Sequence, residues 1–82
     1  MPPTPLWKIE FEDEVKFYFL DNDPYTFELL AELYRLTYYT DPLEGCQELS
    51  DSPGVFSLAV LEHTVLFTFN DGVISVLVVK PD

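Results

Sequence analysis

Apolar and charged positions alternate strictly near the start of the chain, in the order Trp7, Lys8, Ile9, Glu10 and Phe11. A period of two with one charged face is typical of a strand that is buried on one side only. The sequence therefore predicts a first strand here. The preceding residues, 1–5, contain three prolines, which lack backbone donors and favour an extended arm.

The spacing changes after this strand, and two interpretations compete for the next segment. The apolar residues follow the i, i+4, i+7, i+8 spacing of a helix stripe at Phe11, Val15, Tyr18 and Phe19. Three consecutive acids, residues 12–14, stand where a helix N-terminus favours negative charge. However, the odd-numbered positions of residues 15–19 are all apolar, and that period of two favours a strand. We expect a short helix, with a β-hairpin as the alternative.

A second helix is predicted from about Pro24 to Tyr38. Asp23 can cap it, Pro24 suits its first position, and no further glycine or proline occurs before Pro42. Helical spacing places the main apolar stripe at Phe27, Leu30, Ala31, Tyr34 and Tyr38, widened by Leu29, Leu33 and Leu36. The sequence thus predicts that Tyr34 and Tyr38 pack in the core.

The pattern of the last third of the chain predicts a three-stranded meander, which follows a turn-rich segment at residues 48–54. The apolar positions of the predicted strands are Phe56, Leu58 and Val60, then Val65, Phe67 and Phe69, and finally almost all of residues 73–79. Asn70-Asp71-Gly72 carries an Asp-Gly hairpin signal, and the run that follows is apolar on both faces, which favours an interior strand. The predicted fold is α+β, in the order β-α-α-β-β-β, with both helices on one face of a mostly antiparallel four-stranded sheet. Residues 6–81 are expected to form a single domain.

Composition narrows the classes of function. The chain has 82 residues, a net charge of −11 and 48% hydrophobic residues, too apolar a composition for a disordered acidic chain. The negative charge argues against direct contact with nucleic-acid phosphates or anionic lipid. A single cysteine, Cys46, and the lack of a signal peptide or of an apolar run of about 20 residues favour a cytoplasmic protein. No cofactor is expected.

This layout resembles the RelE/ParE superfamily of type II toxin–antitoxin toxins. Three stretches carry the resemblance: Trp7–Phe11 leading into residues 14–16, the leucine-rich helix followed by Pro42 and Gly45, and the closing meander of residues 54–80. Together they cover about residues 7–81. The resemblance implies either a ribosome-dependent mRNA endoribonuclease or a gyrase-directed poison, neutralised by an antitoxin that wraps around it.

The residues that would act in such a nuclease are mostly missing here. The strand positions where family members often carry arginine fall on Ser57, Ala59 and Thr64, while Lys80 retains a basic residue near the end of the last strand. Such cations stabilise the negative charge of a phosphoryl-transfer transition state. The weak catalytic candidates are therefore His63, which suits proton transfer near neutral pH, and Lys80. A histidine beside a turn is more often an exposed polar residue.

For the other candidate binding and catalytic residues, a purely structural role is the commoner explanation. The acids Glu10, Glu12, Asp13 and Glu14 could form a contact surface for a basic partner, although solvated acids at a helix start are commoner. Cys46 and His63 would need spatial contact to form a nucleophilic pair. Asp21-Asn22-Asp23 begins like a calcium loop, but Pro24 stands where a ligand belongs, so no metal site is predicted.

Three hypotheses follow. The first is a RelE/ParE-like domain that is not catalytic and acts through protein–protein contacts, with a basic protein or an antitoxin as partner. The second is an active toxin whose atypical site lies around His63 and Lys80. The third is an acidic mimic that occupies the nucleic-acid-binding surface of a basic protein.

Overall fold

The computed structural model describes residues 4–82, so the first three residues of the predicted arm lie outside the described residues. In chain order the elements are β1 (Lys8–Phe11), α1 (Asp13–Asp21), α2 (Phe27–Arg35), a 3-10 helix (Leu36–Tyr38), β2 (Gln47–Glu48), β3 (Val55–Val60), β4 (His63–Asn70) and β5 (Val73–Pro81). The α+β class predicted from the sequence is therefore confirmed.

The strands form one mixed sheet in the order β1-β5-β4-β3-β2. The first strand, β1, runs parallel to β5, and the other neighbours are antiparallel. The predicted four-stranded, mostly antiparallel sheet is wrong, because it lacks β2 and misses the parallel pair. β2 has only two residues, both polar, so no apolar alternation marks it. The parallel pair joins residues about 65 apart in the chain, as in Ile9 opposite Ile74, and local patterns do not encode such pairing.

Both helices pack on one face of this sheet. The core consists of the buried residues Val15, Leu29, Leu33, Leu36, Val65, Phe67, Ile74 and Val76. Side chains alternate along each strand, so the intervening residues of β3, β4 and β5 point to the opposite face. No helix of residues 4–82 contributes to that second face, which is called the open face below.

The helix interpretation of residues 13–21 is confirmed. Glu12 is the N-cap of α1, and Asp13 and Glu14 occupy its first turn, where the helix dipole favours acids. Val15 is buried, and Phe19 packs against the core cluster. The stripe spacing therefore prevailed over the alternation of apolar residues.

The second helix differs from its prediction in its start and in its buried face. It begins at Phe27 rather than Pro24, because residues 22–26 form turns in which the amide of Thr26 bonds the carbonyl of Asn22. The residues that it buries, together with the 3-10 helix, are Leu29, Leu33, Leu36 and Thr37. Tyr34 and Tyr38 are 48% and 45% exposed, so their predicted place in the core is wrong. The i, i+4, i+7 leucine stripe buries only hydrocarbon, whereas each tyrosine hydroxyl keeps access to water.

The meander follows the sequence pattern closely. Phe56, Leu58 and Val60 of β3 pack against the core, and β5 lies between β1 and β4 as its two apolar faces predict. Asp71 and Gly72 have φ of 53° and 76°, the left-handed pair that a tight hairpin requires.

None of the helices formed by residues 4–82 is long and apolar enough to cross a membrane.

Candidate functional site

The three positions where the family resemblance expects arginines lie together on the open face. Ala59 of β3 pairs directly with Thr64 of β4, and Ser57 lies two residues earlier on the same face of β3. The Thr64 hydroxyl donates a hydrogen bond to a carboxylate oxygen of Asp82 at 2.7 Å. This part of the sheet therefore presents hydroxyls, a methyl group and a carboxylate in place of arginines, and the basic residue beside it is Lys80, which pairs with Thr64.

The four basic side chains of the chain do not gather into one site. Lys8 and Lys80 share the open face, but they pair with Val73 and Thr64, toward opposite ends of β5. Seven residues of extended strand separate those ends, a distance of about 20 Å at roughly 3.3 Å per residue. The other two are on helices, where Lys16 lies 3.9 Å from Asp13 and Arg35 lies 3.0 Å from Glu32.

His63 begins β4 and faces the helices, where it is 6% exposed. Its Nδ1 lies 2.8 Å from the carbonyl oxygen of Leu61, and its Nε2 lies 2.8 Å from the Tyr18 hydroxyl. Because a carbonyl can only accept, Nδ1 carries a proton, and in the neutral imidazole Nε2 then accepts a hydrogen bond from the Tyr18 hydroxyl. The expectation of an exposed turn histidine is wrong: the tight turn at Leu61 and Glu62, both with positive φ, directs the following imidazole inward.

Lys80 lines an open groove beside the C-terminal half of β5. This Lys80 groove has a volume of about 290 Å³, and its lining includes Glu14 and Tyr18. Tyr18 therefore lies between the groove and the buried His63. Tyr18 is hydrogen-bonded to His63, whereas Tyr18 and Lys80 share only the lining of the groove, so the structure does not bring the two catalytic candidates into contact.

Three of the four predicted partner-binding acids come together. Glu10, Glu12 and Asp13 line a recess of about 120 Å³ with Phe11 and Ser75; this is called the acidic recess below. Glu14 is separate, since it faces the Lys80 groove. No lysine or arginine lines the acidic recess, but Lys16 lies 3.9 Å from the Asp13 carboxylate, so Glu10 and Glu12 are its carboxylates without an ion-pair partner among residues 4–82.

The remaining candidates have structural explanations. The Cys46 sulfur lies 3.7 Å from the Pro42 carbonyl oxygen, and burial, together with the charge of Asp41, raises the pKa of this thiol. A protonated thiol is a poor nucleophile. In the calcium-like segment, the Asn22 side chain donates to the Tyr18 carbonyl at 2.8 Å and ends α1. Within residues 4–82 there is no group of three or more His, Cys, Asp or Glu side chains that could hold a metal ion.

One surface recess is not predicted by the sequence pattern. An open surface recess of about 530 Å³, called the tyrosine recess below, is lined by the exposed residues Tyr38, Tyr39, Thr40, Asp41 and Glu44. The sequence pattern predicts Tyr38 in the core, and a core residue does not line a surface recess. The available signal is the succession of two tyrosines and two acids just before a glycine, at Gly45.

Comparison with known proteins gives a result at the level of the fold. No family model and no curated protein matches the chain. Among solved structures, a chain of the YoeB-YefM complex from Staphylococcus aureus superposes with a TM-score of 0.68 and 25% identity, over 93% of this chain and 97% of that chain. The likeness covers nearly the whole of both chains, so it is not limited to a shared motif. The protein therefore has a fold relationship to toxin–antitoxin proteins.

Proposed function

We propose that this chain is a RelE/ParE-like domain that does not cleave RNA and that acts by binding a protein partner. The superposition on a chain of the YoeB-YefM complex supports the toxin-like fold, because YoeB is a RelE-family toxin. The observation that carries the proposal is the lack of arginine on the open face, where Ser57, Ala59 and Thr64 lie side by side and Lys80 is the neighbouring basic residue.

The physical argument concerns charge in the transition state. Cleavage of a phosphodiester spreads negative charge over oxygens that need fixed donors, and a single such donor is worth about 10²–10³ in rate. The open face has no arginine, and its two lysines are about 20 Å apart along the sheet. The net charge of −11 also repels a polyanion before it reaches the surface. A nuclease assembled beside Thr64 would have Lys80 as its cation, too little positive charge to hold a polyanion and to stabilise the transition state.

The acidic recess supports a partner with basic side chains. Glu10 lies on β1, and Glu12 and Asp13 lie at the start of α1, so all three line one recess; Asp13 is 3.9 Å from Lys16, which leaves Glu10 and Glu12 for a cationic partner. An antitoxin for this domain is expected to be basic where it contacts the acidic recess. That arrangement reverses the usual signs for the family, in which the toxin carries the cations.

A pull-down from the source cell, with the chain as bait and mass spectrometry as readout, tests this proposal. We expect a basic protein that binds at low salt and is released by roughly 0.5 M salt, since screening weakens exposed charge pairs. Glu10→Gln with Glu12→Gln should abolish the capture. The matched control, Asp51→Asn with Glu62→Gln, removes the same net charge elsewhere and should retain it. Capture that ignores both salt and the recess variant contradicts the proposal.

An active toxin is the second candidate, and the hydrogen bond from Tyr18 to His63 is the observation that favours it. Tyr18 lines the same groove as Lys80, so a phenol that is hydrogen-bonded to an imidazole borders the groove that a lysine also lines. On this hypothesis expression of the chain arrests growth, and Lys80→Ala relieves the arrest while circular dichroism shows an intact fold. Growth at the normal rate during expression of the unaltered chain counts against it.

A further inference from the structure

The tyrosine recess is the largest cavity described above, and none of the proposed functions uses it. Tyr38 ends the 3-10 helix and Tyr39 follows it in extended conformation, and their side chains are 45% and 47% exposed. Asp41 and Glu44 complete the lining with Thr40. The cavity therefore combines two aromatic side chains with two carboxylates in about 530 Å³.

The backbone that carries these side chains is fixed by hydrogen bonds. The Trp7 indole Nε1 donates to the Tyr39 carbonyl oxygen at 2.7 Å. The Asp41 carboxylate accepts the Leu43 amide at 3.1 Å, and the Asp41 carbonyl accepts the Glu44 amide at 3.3 Å. Because the loop is ordered by these contacts, a ligand does not have to order it, and less binding free energy is lost.

The charge of the recess has no internal counterion among residues 4–82. The ion pairs of the described chain use Asp13 and Glu32, so Asp41 and Glu44 pair with no lysine or arginine there. The faces of aromatic rings carry negative electrostatic potential and attract cations, and carboxylates add charge-assisted hydrogen bonds. The tyrosine rings and the carboxylates of the recess therefore both favour a cationic ligand.

We propose that the tyrosine recess binds an organic cation, namely a guanidinium or ammonium group on an alkyl chain. The alkyl part suits the aromatic walls, and the charged head suits the carboxylates. The recess, of about 530 Å³, is open to solvent and its lining residues are exposed, so a ligand bound there keeps part of its surface in water. The cation comes either from a free small molecule or from an arginine or lysine of another protein. The inference does not depend on the acidic recess, since the two recesses share no residue.

Cys46 supplies a built-in reporter for such binding. Its thiol pKa is raised by burial and, to a smaller extent, by the negative charge of Asp41. A cation held against Asp41 offsets that charge, so the thiolate forms at lower pH. Binding should therefore lower the apparent pKa of Cys46, which ultraviolet absorbance of the thiolate measures directly.

The experiment titrates the full chain with arginine amide, spermidine and the peptide amide Gly-Gly-Arg-Gly-Gly, each against sodium chloride of equal ionic strength. Two-dimensional NMR of the tyrosine rings and the Cys46 titration are the readouts. We expect saturable binding by at least one organic cation and none by sodium. Asp41→Asn with Glu44→Gln should weaken it at least about tenfold, since each charge-assisted hydrogen bond is strong. Tyr38→Leu should weaken it about two- to fivefold.

Matched variants separate the loss of the recess carboxylates from a change in loop structure or in net charge. Asp41→Asn keeps an oxygen for the Leu43 amide, so the loop is retained, and Asp51→Asn with Glu62→Gln removes the same net charge outside the recess. Tighter binding of the peptide than of arginine amide supports a protein source, and tighter binding of spermidine supports a free polyamine. Equal binding by the unaltered chain and the recess variant, or an equal effect of sodium, overturns the proposal. Failure of the partner pull-down does not contradict the cation-binding proposal, because the two recesses share no residue.

Discussion

Replacing Tyr18 with Phe tests whether the buried His63 is held as a structural group. The substitution removes only the hydroxyl, which lies 2.8 Å from Nε2 of an imidazole that is 6% exposed. The ring nitrogen is then left without a donor in a site with little access to water. Leaving a buried acceptor unsatisfied costs about 1–3 kcal/mol. A loss of about 2 kcal/mol lowers the melting temperature of a domain of this size by roughly 8–16 °C.

A double-mutant cycle separates this hydrogen bond from general loss of packing. Urea unfolding is measured for the unaltered chain, Tyr18→Phe, His63→Phe and the double variant. The double variant should be at least about 1 kcal/mol more stable than the sum of the single losses predicts, because removing both partners leaves no unsatisfied Nε2. A Tyr18→Phe variant within about 0.5 kcal/mol of the unaltered chain, or strictly additive losses, would refute the reasoning.

Three further predictions concern the fold. Leu33→Ala should lower the free energy of unfolding by about 2–5 kcal/mol because Leu33 is fully buried, whereas Tyr34→Ala should cost less than about 1.5 kcal/mol; equal losses in urea unfolding contradict the assigned helix face. Folding raises the pKa of the Cys46 thiol above its ordinary 9.0. The protonated thiol therefore contributes stability below pH 9, and this contribution is lost as the pH rises through the folded-state pKa. Urea unfolding should show that Cys46→Ser loses less stability between pH 7 and 10 than the unaltered chain does. Gly72→Ala, at φ +76°, should destabilise by about 1 kcal/mol in thermal unfolding, and an unchanged melting temperature contradicts a strained turn.

The parts of the fold that the sequence predicts correctly are those that local periodicity controls. The alternation of Phe56, Leu58 and Val60 marks a strand whatever its neighbours are. The Asp71-Gly72 turn depends only on two adjacent residues with positive φ. The parallel pairing of β1 with β5 and the two-residue strand β2 depend instead on which distant segments meet, and no local pattern records that.

The candidate site was less accessible to prediction for the same reason. The acids of the acidic recess are near one another in sequence, so their proximity could be anticipated. The burial of His63 could not, because it depends on Tyr18, which lies 45 residues earlier. Two apolar stripes that differ by a fraction of a turn, one with the leucines and one with the tyrosines, could face the sheet, and Tyr38 is exposed because the leucine stripe does so. That choice is made by packing against the sheet, where leucines fill the core and tyrosines keep their hydroxyls in water.

The central claim is that the open face cannot hold and cleave a phosphodiester, and cleavage of mRNA on translating ribosomes by the purified chain tests it most directly. We predict that the mRNA stays intact at protein concentrations that saturate the ribosomes. Cleavage by the unaltered chain that disappears in a folded Lys80→Ala variant would contradict the claim.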